Sequence, residues 1–325
     1  MSQTLFRTIL FAASACLFCF TPELCRNVSA FSDSNETTAK TVTKELRAAE
    51  ASEANEPNEP SAEIKSVSPG ITISGLNMGL QRHSIEIGPE IYSFTYKESG
   101  IKDEGIFYGG IFNYTYRGWV PDSPNEPIPE SGGSLRAEFR FASGDADYDG
   151  ALQNGTPYKV DDIGYDAYEA RLLFGLDAPD ESWLASIYTG VGYRYSTDDS
   201  SFDPAGYKRE SNYIYIPIAY QLDGKFENNW AWGCKLEADF LARGIQKSDM
   251  SDVGDPDIEN RQNTGYGLRA SLRLQNKTNK GVLTIEPFVR YWNIDESEYK
   301  YIPPYYYYEP ANSTTEVGLQ LLWRF

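Results

Sequence analysis

The chain has 325 residues, with 47 acidic side chains against 29 basic ones and a formal charge of −18, so nucleic acid and anionic lipid are poor partners for its surface. Of its four cysteines, Cys16, Cys19 and Cys25 lie close to the start, and only Cys234 stands further on. No intramolecular disulfide is then expected, and a folded domain here needs a large core or a closed hydrogen-bonded sheet.

Arg7, the apolar run 9–20, Pro22 and the small-residue stretch Val28-Ser29-Ala30 have the order of a secretory signal peptide, which assigns residues 1–30 to export. The run is too short for a spanning helix, which takes roughly 20 apolar residues. Residues 31–81 are read as a disordered periplasmic tail with a lead-in segment. Glu56-Pro57-Asn58-Glu59-Pro60 is typical of a composition that buries too little apolar surface to offset its ordering entropy. The glycine-spaced stretch 71–80 alternates loosely and is taken as part of that lead-in.

From residue 82 to 325 the pattern is regular. Ten strands are expected near 84–96, 105–117, 134–143, 164–176, 183–195, 212–222, 230–242, 266–275, 281–293 and 315–325. The connections 177–182, 223–229 and 276–280 are short, and 144–163, 196–211, 243–265 and 294–314 are long and polar. Residues 118–133 break this alternation of lengths. The expected fold is all-β: a transmembrane antiparallel up-and-down β-barrel of about ten strands, with long extracellular loops and short periplasmic turns.

Facing supports that fold. Trp230, Trp232, Cys234, Leu236, Ala238 and Phe240 share one side of their strand, and Lys235, Glu237 and Asp239 the other. Arg136, Glu138 and Arg140 oppose Leu135, Ala137, Phe139 and Phe141. Arg269 and Arg273 oppose Leu268, Ala270, Leu272 and Leu274, and Glu286 and Arg290 oppose Ile285, Pro287 and Val289. The apolar sides end in Tyr and Trp, as interfacial girdles do. Backbone polar groups tolerate no open edge in hydrocarbon, so the first strand must pair with the last. The charged sides then meet in a narrow lumen and are expected to form an ion-pair network of Arg136, Glu138, Arg140, Lys235, Glu237, Asp239, Arg269, Arg273, Glu286 and Arg290.

The excess negative charge falls to the connections and the tail. Asp145-Ala-Asp147-Tyr-Asp149-Gly150 matches the opening of a calcium loop, which makes Asp145, Asp147 and Asp149 weak calcium candidates, but Thr156 stands where the bidentate Glu belongs. No other cofactor is expected. Tyr305, Tyr306, Tyr307 and Tyr308 are candidate contacts for an unknown extracellular ligand, since Tyr gives rigid amphipathic contact area. The single histidine, His83, begins the first strand, so no His-based catalytic constellation assembles at the outer rim and no enzyme is expected.

The last eleven residues put Val317, Leu319, Leu321, Trp323 and Phe325 on one face, and the chain ends on an aromatic. This resembles the closing strand of bacterial outer-membrane barrels, which implies that Trp323 and Phe325 are read by the barrel assembly machinery. The stretches 87–97, 107–116 and 286–292 also resemble uncharacterised outer-membrane β-barrel proteins of Gram-negative bacteria. That resemblance implies location and fold, with outer-membrane lipid as a partner, loops facing outside and the N-terminal tail in the periplasm. Function is expected to be surface binding through acidic, Tyr-rich loops, the alternative being a small passive porin with a narrow charged lumen.

Overall fold

The computed structural model describes residues 80–122, 126–151, 155–226 and 228–325. The expected signal peptide and nearly all of the expected tail and lead-in lie outside the described residues.

Among the described residues thirteen strands follow in chain order: β1 (His83–Glu98), β2 (Ile101–Arg117), β3 (Gly132–Ala151), β4 (Pro157–Pro179), β5 (Trp183–Asp199), β6 (Lys208–Lys225), β7 (Trp230–Ser248), β8 (Ile258–Gln262), β9 (Gly265–Thr278), β10 (Gly281–Ile294), β11 (Lys300–Ile302), β12 (Tyr305–Tyr307) and β13 (Asn312–Arg324). Ten of them form the staves of a closed antiparallel barrel: β1 to β7, β9, β10 and β13. Closure is made by β13 against β1, with Glu86 opposite Arg324 and Ser93 opposite Val317. β8 lies in the line of β9, because Gly244↔Gln262 and Phe240↔Tyr266 continue one register on β7; the break falls at Asn263 and Thr264. β11 and β12 pair as a separate hairpin. Each expected strand falls on an observed stave.

An even number of staves puts the start of β1 and the finish of β13 at the same end, here termed the terminal end. The opposite, or loop, end differs from expectation. The stretches 144–163 and 196–211 are mostly paired strand rather than loop, with β3 and β4 paired as far as Ala151 and Pro157 and β5 and β6 meeting at residues 200–207. β1 and β2 meet through Ser99 and Gly100, where the turn needs the left-handed φ of +78° that glycine adopts without strain. Exposed acids alternate there with inward residues that stay buried, such as Ala146, Val160 and Ile163, so the ladder continues without an apolar outer face. A bulge between Ala146 and Tyr148 on β3 and their β4 partners places Asp162 at φ +60°, and its N–H donates to Asp147 Oδ1 at 3.2 Å.

Burial is inverted relative to a water-soluble protein. Ile87 and Phe174 on the outer wall are 48% and 60% exposed, whereas Glu90 and Arg140 on the inner wall are 3% and 7% exposed. Outward side chains of β5 run from Trp183 through Ile187 and Val191 to Tyr193, aromatic at both limits and aliphatic between. Ten residues of strand cover roughly 33 Å, and a tilt near 40° reduces that to about 25 Å, the height of an outer-membrane barrel's apolar band. Tyr116 and Trp230 extend the terminal-end girdle, and Tyr108, Tyr168 and Tyr266 the other.

Candidate functional site

The interior is filled layer upon layer. At the terminal end the β2–β3 connection, the one segment that broke the expected alternation, folds back across the barrel mouth. Trp119, Val120 and Ile128 are buried there against Leu184 of β5 and Ala231 of β7. They are the large apolar residues of an otherwise acidic, proline-rich turn, so burying them is what the segment gains by folding in. The Trp119 indole donates to Asp177 Oδ2 at 2.9 Å, and Arg117 Nε lies 3.3 Å from the same oxygen. Gly132 makes room: a Cβ there would stand 2.2 Å from Trp119 Cβ.

Above this plug the expected network residues all face inward and interact. Arg136 reaches Gln221 at 3.1 Å and the Tyr188 hydroxyl at 3.0 Å, with Glu138 Oε1 at 3.5 Å. Arg273 lies between Glu86 at 2.8 Å and Glu286 at 3.1 Å. Arg171 bridges Glu138 and Glu237, and Lys235 holds Glu237 at 3.1 Å. Arg269 is forked onto Glu169 and also meets Asp239 at 2.7 Å and Glu237 at 3.0 Å. Nearest the loop end, Glu90 and Glu316 are shared by Arg140 and Arg290, with Arg194 3.4 Å from Glu316. Several of these pairs cross the lumen: Arg171 on β4 to Glu237 on β7, and Arg140 on β3 to Glu316 on β13. The space left among these groups is about 90 Å³, room for a few waters. Buried charge persists only when paired and hydrogen-bonded, and arginine forks suit that task.

Sequence reasoning missed the next layer. Tyr92, Phe94, Phe107, Tyr165 and Phe288 pack as one cluster, with Phe94 and Phe107 ring centroids 4.5 Å apart. Tyr213, Tyr215, Trp292 and Ile294 form a second. The charged layer docks on them: Arg290 sits 4.0 Å from the Phe288 ring centre and Arg140 4.7 Å from that of Tyr92. The available signal was on β1, whose inward positions change from Glu86 and Glu90 to Tyr92, Phe94 and Tyr96. A void of about 50 Å³ remains at this level.

Beyond the aromatics the barrel opens into a cup of about 580 Å³. Glu98, Asp103, Asp198, Asp255, Tyr148, Tyr158, Tyr207 and Arg209 line it. Arg209 donates to Asp198 Oδ2 at 2.8 Å and stands 3.7 Å from Asp103 Oδ2, which also accepts the Tyr165 hydroxyl. None of these residues was singled out in the sequence except as part of a polar connection.

Beside the cup, the β10–β13 connection carries the β11–β12 hairpin. Tyr299 stacks on Tyr308 and Tyr301 lies against Tyr306, each with centroids 4.7 Å apart, while Tyr305 and Tyr307 meet edge-on. Tyr305, Tyr306 and Tyr308 are exposed and Tyr307 is half-buried. Ser297 and Glu309 brace the base: Ser297 N–H donates to Glu309 O at 2.9 Å, and Glu309 N–H to Ser297 Oγ at 2.7 Å.

The calcium candidates stand on strand, not in a loop. Asp145, Asp147 and Asp149 alternate along the outer face of β3, all exposed, and Asp149 is paired with Lys159 at 2.6 Å. Among the described residues no three or more His, Cys, Asp or Glu side chains gather to hold a metal ion. Trp323 and Phe325 both point outward at the terminal end, where Phe325 N–H donates to Ile85 O at 3.0 Å.

A closed sheet with an apolar exterior, aromatic girdles and a charged interior defines an integral outer-membrane β-barrel protein. No protein-family model matches the sequence, and no curated protein matches it. Several solved structures are similar over most of this chain at low identity. The transport unit of the autotransporter AIDA-I from Escherichia coli is similar over 77% of this chain and 92% of its own, at 10% identity and a TM-score of 0.42. The translocator domain of NalP from Neisseria meningitidis is similar over 89% and 98%, at 10% identity and 0.39. Neisserial surface protein A is similar over 75% and 98%, at 10% identity and 0.33. These likenesses concern fold alone.

Proposed function

We propose that the barrel stands with its loop end outside the cell and its terminal end in the periplasm, and that it binds a ligand at the outer surface rather than passing solutes. The observation that carries this reading is the β11–β12 hairpin. Two tyrosine pairs in ring contact, one of them stacked, are held out on a short braced hairpin, where aromatic rings cost hydration and serve packing in the barrel little. Rigid tyrosines of this kind suit a glycan or protein surface. The filled lumen supports the same reading, because the plug, the ion-paired layers and the aromatic layer lie in series.

Planar-bilayer recording of purified protein is the test. Wild type and a variant with Tyr305, Tyr306, Tyr307 and Tyr308 replaced by serine are both expected to show no stable current steps, while the serine variant loses adhesion to a glycan or cell surface that wild type holds. Stepwise, ion-selective channels unchanged by the serine substitutions would make the protein a porin with a narrow charged lumen.

A further inference from the structure

Resting on the surface-binding reading, we propose that the cup inside the loop end is a second, separate site, and that it takes a small organic ammonium cation. Its volume of about 580 Å³ is that of a small-molecule pocket and several times that of the two voids described in the lumen below.

The charge balance of the lining selects the sign of the ligand. Glu98, Asp103, Asp198 and Asp255 face Arg209 alone. That guanidinium is already committed, to Asp198 at 2.8 Å and to Asp103 at 3.7 Å. Glu98 accepts the Tyr96 hydroxyl at 2.8 Å, and among the described residues neither Glu98 nor Asp255 has a basic partner. A second, independent observation points the same way. Asp103 is fully buried, and its Oδ1 has no hydrogen-bond partner. Beneath the lining, that unsatisfied oxygen adds to the negative charge that Arg209 leaves uncompensated.

The remaining walls favour an organic cation over a bare metal ion. Tyr148, Tyr158 and Tyr207 line the same space, with Met250, Val253 and Ile163 between them. Tyrosine faces attract ammonium groups, and apolar walls suit the alkyl substituents such groups carry. A metal ion needs several oxygens within about 2.6 Å of one point, and no such convergence of three or more carboxylates occurs among the described residues.

The experiment is a calorimetric titration of full-length protein in non-ionic detergent with choline, with its neutral isostere 3,3-dimethylbutan-1-ol, and with calcium chloride. One choline site per chain is expected, weakening by about tenfold or more in Asp255→Asn and several-fold in Tyr207→Leu, with the neutral isostere bound at least about tenfold more weakly. Asp103→Asn is expected to weaken it as well; should that variant fail to fold, the partly exposed Asp255 carries the test. Absence of saturable choline binding, equal binding of the isostere, indifference to Asp255→Asn, or binding of calcium alone would each overturn the inference. Replacing Tyr301 and Tyr306 by serine is expected to leave choline binding unchanged, so loss of hairpin adhesion and loss of the cup site are read separately.

Discussion

Glu316 accepts from Arg140 at 2.8 Å and Arg290 at 3.0 Å and lies 3.4 Å from Arg194, so three guanidinium groups share one carboxylate in the closed interior. Removing a partner from a buried pair leaves an uncompensated charge, at about 3–5 kcal/mol. Glu316→Gln and Arg273→Ala are each expected to lose that much stability in denaturant titrations followed by circular dichroism; wild-type midpoints would mean that water reaches these groups freely. Glu309 behaves differently. Burial, together with the nearby Glu98 and Asp198 and against the pull of Arg209, pushes its carboxyl up to about 7 from 4.5. The folded state therefore holds the proton, and stability is lost as pH rises from 4.5 through 7. At about 1.4 kcal/mol per pH unit the whole effect is roughly 3 kcal/mol. Amide exchange at Ser297 and Glu309 is expected to quicken between pH 5 and pH 8 and to become pH-insensitive, beyond the intrinsic chemistry, in Glu309→Gln. Unchanged protection across that range would show that the carboxyl is solvated.

Among the elements, the connection between β2 and β3 departs furthest from a simple turn. Trp119→Ala should remove a large buried ring and the donor to Asp177, costing about 3–5 kcal/mol. It should not open a conducting path, because the ion-paired layers above it remain. Current steps in that variant alone would identify the connection as a gate. Its inward fold was not legible in the sequence: Trp119, Val120 and Ile128 are too few and too irregularly spaced to show a period, and the acids and prolines around them read as a wetted turn. The strand extensions were hidden for a related reason. Asp145, Asp147 and Asp149 sit on paired strand, but their outward acids stand where a membrane stave shows its apolar face, so the extension read as a loop. Where lipid lies on one side and charge on the other, as from Trp230 to Phe240, the sequence showed the staves and their facing directly.

At the scale of the whole molecule, closure of β13 on β1 joins the ten staves into one ring, and the layers inside tie opposite walls together. Such a barrel should resist dodecyl sulfate at room temperature and run as a compact band until boiled. A single unfolded band without heating, with loss of the β-sheet signal, would count against a closed, internally braced structure. The expected inner wall was read from alternation alone, since only a charged face opposite an apolar one fits a membrane stave. The aromatic layer of Tyr92, Phe94 and Phe107 was not, because aromatic residues on both faces of one strand give no polarity to read. The cup escaped for a deeper reason: it is assembled from all six strands β1 to β6 and the connection after β7, and nothing along the chain announces that they meet.

The lumen's ion pairs join early strands to late ones: Glu86 on β1 to Arg273 on β9, Glu90 on β1 to Arg290 on β10, and Arg140 on β3 to Glu316 on β13. An unfinished sheet lying in the bilayer would turn these ions toward hydrocarbon with their counter-ions still unmade. Insertion and neutralisation therefore have to happen together, from a place where water or another protein shields the inner wall until the last strand arrives. The same linkage binds the sequence over evolutionary time. A change of charge on β1 or β3 unsettles partners that include one some 175 to 200 residues away, so inner-wall positions should vary together while the lipid-facing residues between them drift one by one.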